Sequence, residues 1–205
     1  MRLLHFLVTS ATLTTLFSLL ACTPTLDWRD VRFEGAMQAS DASPLAALLP
    51  CKPDRATREQ TVAGERVSLS MMGCPAAGAT FTLSRMVLKN PAKAPQVLAA
   101  WQAVTLANVV SNDKVQADKA QAVQPVTSPI KVPGASGWPA AVRVNMTGGV
   151  ADGAASGRFA GQVAWFAQLA GPDLVLYQAA IYGAQDAKPL AAEATSTFFE
   201  SLRLP

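Results

Sequence analysis

Residues 67–86 read Val67-Ser68-Leu69-Ser70-Met71-Met72-Gly73-Cys74-Pro75-Ala76-Ala77-Gly78-Ala79-Thr80-Phe81-Thr82-Leu83-Ser84-Arg85-Met86, and their alternation decides the fold class. Val67, Leu69 and Met71 alternate with Ser68, Ser70 and Met72, the two-residue period of a half-buried strand. Cys74-Pro75-Ala76-Ala77-Gly78 turns the chain. Ala79, Phe81, Leu83 and Arg85 then alternate with Thr80, Thr82, Ser84 and Met86, a second strand returning beside the first.

Upstream, Ala63-Gly64-Glu65 signals another hairpin, entered by a strand over Arg58 to Val62. Leu45 to Leu49 is a short apolar run that stops at Pro50-Cys51-Lys52-Pro53-Asp54, where two prolines forbid a helix. Gly35 to Pro44 reads as a loop. Asp27 to Phe33 reads as a first strand with Val31 and Phe33 facing one way.

Downstream the period changes. Val97, Leu98, Trp101, Val104, Thr105 and Asn108 recur at three and four, predicting an amphipathic helix within Pro91 to Asn112 with prolines near its start. Trp101 on that stripe is expected in the core rather than as a ligand platform. A weak strand pattern covers Val115 to Val126, and Pro125 to Gly137 reads as a loop. Ala140, Val142, Val144 and Met146 alternate after Trp138-Pro139. Thr147 to Gly157, rich in Gly and Ala, is expected to be a loop. Arg158 to Ala170 and Leu174 to Tyr182 predict a hairpin turning at Gly171-Pro172-Asp173. Leu190, Ala194, Phe198 and Leu202 repeat at four and predict a closing helix over Ala187 to Leu202. Strand runs without regular strand–helix alternation indicate an α+β domain: a mostly antiparallel sheet packed by about two main helices.

The first 22 residues read MRLLHFLVTSATLTTLFSLLAC. Arg2 opens them, and Leu3 to Ala21 contain no charged side chain. This is the layout of a secretory signal. Leu19-Leu20-Ala21-Cys22 resembles the lipobox of bacterial lipoproteins, in which a diacylglycerol is attached to the cysteine after the cut. Leu20 departs from the usual small residue. An uncleaved span is disfavoured by six hydroxyl residues (Thr9, Ser10, Thr12, Thr14, Thr15, Ser18), although the length approaches the roughly 20 residues a bilayer needs. Ordinary signal cleavage is disfavoured by Leu19 at −3. The division expected is therefore a signal over 1–21, a tether and first strand over 22–44, and a single domain over 45–205. The resemblance implies anchoring in a lipid bilayer through acylated Cys22. With Thr23 rather than Asp next, it favours the periplasmic face of the outer membrane, with the inner membrane as the alternative.

Cleavage before Cys22 leaves 184 of the 205 residues, enough for one self-sufficient core. Of 17 Lys and Arg residues only Arg2 is lost, so 16 face all 14 acids, a formal net charge of +2. The basic residues are scattered, which argues against nucleic acid as a partner. Of three cysteines, lipid claims Cys22, and Cys51 and Cys74 remain as an even pair in an oxidising compartment. A structural disulfide is expected, closing a span of 23 residues and contributing roughly 3 kcal/mol. A redox pair lacks its CxxC spacing, and a metal site lacks further ligands.

The single histidine, His5, lies inside the signal. The mature chain thus lacks the usual general base near neutral pH, the Ser-His-Asp and Cys-His systems, and His-based metal sites. Gly134-Ala135-Ser136-Gly137 lacks the spacing of a nucleophile elbow, and there is no phosphate loop. Asp27 with Asp30, and Asp113 with Asp118, are the nearest approaches to paired carboxylates, and each is expected as a solvated surface acid. No cofactor, metal or catalytic residue is expected. Aromatic residues carry what remains. Trp165 and Tyr177 are expected to be at least half buried, and Trp28 and Tyr182 are large enough for a pocket or patch. Trp138, beside Pro139, is the candidate for an exposed contact surface toward an envelope protein.

The strand ending in Leu48-Leu49-Pro50-Cys51-Lys52-Pro53, the hairpin and helix after it, the Gly137-Trp138-Pro139 turn, the segment Leu174-Val175-Leu176-Tyr177-Gln178 and the closing Phe198-Phe199-Glu200-Ser201-Leu202-Arg203-Leu204 follow one another in an order that resembles the PsbP/Mog1-like fold. That resemblance implies an antiparallel sheet packed between helices, an α/β/α sandwich, over about Leu45 to Leu204. Its known members bind protein partners, and none of those partners transfers to this chain. Two functions are therefore expected in order: a non-catalytic binding or assembly module, and, as the alternative, a small-ligand carrier or histidine-independent enzyme using a cleft between sheet and helix. A deep pocket with converging acids or amides would favour the second, and a flat, filled interface the first.

Overall fold

The computed structural model of the chain describes residues 26–34, 42–110, 125–152, 155–184 and 192–205. The expected signal, Cys22, Asp113 and Asp118 lie outside the described residues, as do most of the expected strand over 115–126 and of the expected loop over 35–44. A short antiparallel pair comes first, β1 (Arg29–Phe33) against β2 (Leu45–Leu49). The remaining strands are β3 (Asp54–Val62), β4 (Glu65–Ala76), β5 (Ala79–Leu88), β6 (Val126–Pro129), β7 (Val142–Asp152), β8 (Ala155–Ala170) and β9 (Asp173–Ala184). They form a seven-stranded sheet in the order β3-β4-β5-β9-β8-β7-β6, every pairing antiparallel.

Helix α1 (Ala94–Val110), entered through a single 3-10 turn at Pro91–Lys93, covers one face. Asn90 caps that turn by accepting from the Ala92 amide. Ala94, Val97 and Trp101 of α1 pack with Leu69, Met86, Trp165 and Leu176. The other face is covered by helix α2 (Ala192–Glu200), the C-terminal tail and the β1–β2 pair. There Phe198 meets Phe81 edge-on at 5.4 Å, inside a cluster with Phe33, Leu45, Leu83 and Ile181. Full burial of each such side chain is worth about 1.5–3 kcal/mol. The fold is thus α+β, a mostly antiparallel sheet between two helices, as the periodicities indicate.

The tail is stitched into this layer by backbone. Ala46 and Arg203 exchange both hydrogen bonds, at 2.9 and 3.0 Å, and the Leu204 amide donates to Pro133 O at 2.9 Å. The Ser201 hydroxyl accepts from the Leu48 amide at 2.8 Å.

Four expectations need correction. The strand over 67–72 is not half-buried: Ser68 and Ser70 are as enclosed as Val67 and Leu69, because both faces of the sheet are covered. The loop expected over Thr147 to Gly157 is strand: the β7–β8 ladder continues from Val142↔Trp165 to Asp152↔Ala155. Small side chains carry no alternation to read, yet their backbones extend a ladder already in register. The loop over Pro125 to Gly137 contains β6, an edge strand where prolines are tolerated. Finally β3 starts at Asp54 rather than Arg58, and its exposed charges suit a sheet edge. The hairpins at Ala63-Gly64 and Ala77-Gly78 stand where expected, each with both central residues at positive φ. The closing helix is described from Ala192, and 187–191 lie outside the described residues.

Candidate functional site

Strands in register project side chains in rows, and one row decides the site. Met71, Ser84, Gln178 and Trp165 stand opposite one another on β4, β5, β9 and β8, all toward α1. Over the β9–β8 side Trp165 fills the space completely. Over the β4–β5 side the residues are Met71 and the small Ser84, and Ala100 of α1 lines the space with them. A cavity of about 570 Å³ opens there. Pockets for small molecules fall within roughly 300–1,000 Å³.

Its apolar wall is Leu69 and Met71 from β4, Val62 from β3, and Ala100, Trp101 and Val104 from α1. Its polar groups are Thr82 and Ser84 from β5, Gln178 and Tyr182 from β9 and Thr105 from α1, with Arg58, Gln60 and Thr61 on β3. Among the described residues no Asp or Glu lines it. Gln178 Nε2 donates to Thr105 Oγ1 at 2.9 Å, and Thr105 Oγ1 donates to Trp101 O at 2.9 Å. Ser84 is 1% exposed, and its Oγ has no hydrogen-bond partner among the described residues; the same holds for Trp165 Nε1, which lies two strands away on β8 and does not line the cavity. Unsatisfied buried donors are rare enough to need a reason. Burial pushes the Tyr182 phenol well above its usual range, so it stays protonated at neutral pH.

The opposite face carries a second buried polar group. Arg85 is 4% exposed, with its guanidinium carbon 6.0 Å from the Tyr177 ring centroid. Its Nε and Nη2 find no partner, and burial lowers its pKa while Tyr177 and Glu34 oppose that shift. Tyr177 is pushed up to about 12 by burial, with Arg85 pulling the other way.

The residues singled out in the sequence separate. Cys51 and Cys74 stand at disulfide distance, with Cα atoms 6.0 Å apart. Asp27 pairs with Arg29, and Asp30 with Arg203 at 2.7 Å, so these acids are surface ion pairs rather than a dyad. Trp165 and Tyr177 are wholly buried. Trp28 lies edge-on to Phe81 at 6.0 Å. Trp138 is 48% exposed, on a loop tied to β8 through Ser136, whose amide donates to Ala167 O and whose hydroxyl accepts from the Leu169 amide. Leu169 is itself 58% exposed. Trp101 belongs to the core, as expected, and also lines the cavity. Ser84, Gln178 and Thr105 were not legible as site residues; a serine opposite a glutamine carries no signal until the register is known. Among the described residues no cluster of His, Cys, Asp or Glu suits a metal ion, and no helix is long and apolar enough to cross a membrane.

Comparison with known protein families, curated proteins and solved structures finds no match to this chain.

Proposed function

We propose that the protein is a small-ligand carrier, the alternative of the two expected functions and the one an open pocket favours, exported and held on a membrane through lipidated Cys22, and that its binding site is the cleft between α1 and the sheet. The observation that carries this reading is the open cavity of about 570 Å³, apolar on its walls, with an unpartnered hydroxyl at Ser84. The groups lining it favour holding over transforming. Among the described residues they include no carboxylate or imidazole, and the phenol of Tyr182 is kept protonated. The sandwich of sheet and helices is in keeping with a PsbP/Mog1-like build. The signal and Leu19-Leu20-Ala21-Cys22 support the anchor. The Asp27 amide donates to Pro50 O, five residues after Cys22, so an extended tether would hold that end of the domain within about 18 Å of the lipid.

Mass spectrometry of small molecules co-purifying with the chain tests the site. Wild-type protein is expected to carry a compound that Ala100→Trp, which fills the cleft, does not; equal content in both overturns the reading. Incorporation of a palmitate analogue, lost in Cys22→Ser, tests the anchor, and an unlabelled parent protein disposes of it.

A protein-contact reading is favoured by one observation: Trp138 and Leu169 are both exposed, and the loop that carries Trp138 is bonded through Ser136 to Leu169. In-cell crosslinking that recovers the same partner from wild-type and Trp138→Ser protein would remove this surface from consideration.

A further inference from the structure

The hydrogen-bonding inventory of the cleft names the class of its ligand, an inference that rests on the cleft being the binding site. Thr105 Oγ1 has its proton and one lone pair engaged, accepting from Gln178 and donating to Trp101 O. Ser84 lines the cleft, and its Oγ is buried with no partner among the described residues. A serine hydroxyl has one proton to give and two lone pairs to accept with. That proton is left without an acceptor, and an occupant that brings one satisfies it. Charge narrows the choice. Among the described residues the one cation lining the cleft is Arg58, exposed on edge strand β3, and none stands at the floor. Burying an anion there without a counter-charge is costly, whereas a carbonyl satisfies Ser84 at no such cost. The Leu69, Met71 and Trp101 walls take an apolar body.

We propose that the cleft binds an uncharged, largely apolar small molecule through a carbonyl-type oxygen that accepts from Ser84 Oγ, its body lying between Met71 and Trp101.

Prodan, a neutral naphthalene with one ketone acceptor, is a suitable probe because its emission shifts with hydrogen bonding to that ketone. Anilinonaphthalene sulfonate serves as its anionic counterpart. Fluorescence titration of the purified chain is expected to show saturable Prodan binding, stronger than that of the sulfonate and lost in Ala100→Trp. Ser84→Ala is expected to weaken Prodan about tenfold, the worth of one hydrogen bond, and to shift the bound emission to the blue. Circular dichroism confirms that each variant is folded. Should Ser84→Ala misfold, the emission of Prodan bound to wild-type protein still reports whether its ketone is hydrogen-bonded. Prodan affinity and emission unchanged by Ser84→Ala, or tighter binding of the sulfonate, overturns the assignment while leaving the cleft as the site. Binding of both probes that ignores Ala100→Trp overturns the cleft reading itself.

Discussion

Gln178 on the central strand β9 donates its side-chain amide to the Thr105 hydroxyl of α1 at 2.9 Å, and this is the polar tie between helix and sheet beside the cleft. Thr105→Val keeps the shape and removes both the acceptor for Gln178 and the donor to Trp101 O. Urea denaturation is expected to show a loss of about 1 kcal/mol, since the freed amide faces a cavity that water can enter. A loss of probe affinity larger than the loss of stability would show that the tie also sets the position of α1.

Gly134 sits at φ +77, and a Cβ there would stand 1.9 Å from the Leu204 carbonyl oxygen. Neither the backbone nor the tail can give way, because Leu204 is held by Pro133 O. Gly134→Ala is expected to cost at least about 2 kcal/mol. Gly137, three residues on, has open space around its Cα, and Gly137→Ala is expected to stay within about 0.5 kcal/mol. Thermal melts of the pair provide the comparison; equal melting temperatures would contradict the contact.

Cys51 follows β2 and Cys74 lies within β4, 23 residues later, so a bond between this pair at disulfide distance would join the β1–β2 layer to the main sheet. Reduction, or the double change Cys51→Ser with Cys74→Ser, is expected to lower stability by about 3 kcal/mol. A denatured, unreduced sample that yields two reactive thiols would show that the pair is not joined.

Tyr177 and Tyr182 give the fold an alkaline limit. Burial raises both phenols above the unfolded value of 10, Tyr177 to about 12. A raised folded-state pKa favours the protonated form, so the contribution is complete below pH 10 and is lost as pH climbs from 10 toward about 12. For Tyr177 the loss is on the order of 2–3 kcal/mol. Urea midpoints are expected to hold steady to about pH 9.5 and then fall, and Tyr177→Phe should flatten part of that fall. A decline equally steep in Tyr177→Phe would assign it to other groups.

Much of the fold was legible because its signals are local. Val67 to Met72 and Ala79 to Met86 alternate with a period of two, and Ala63-Gly64 and Ala77-Gly78 supply the residues that tight hairpins need. Trp101 could be assigned to the core from its place on a helical stripe. The stretch from Thr147 to Gly157 was misread because glycine and alanine leave no pattern, while strand pairing uses the backbone they still have. The burial of Ser68, Ser70 and Arg85 was hidden for a different reason. Alternation tells which residues share a face, not whether something covers it.

The cleft belongs wholly to that second kind of information. By itself the sequence determined the class of fold, the pairing candidates Cys51 and Cys74, and a single histidine at position 5. It also carried the lipobox-like signal on which the proposed anchor rests. These follow from composition and from neighbours within a few residues. Only the tertiary structure decided that Ser84 faces Gln178, that α1 presents Ala100 and Trp101 over them, and that a cavity of about 570 Å³ remains between. Ser84, Trp101 and Gln178 are far apart in the chain. The space they enclose depends on strand register and on where the helix crosses, and neither is written in any one segment.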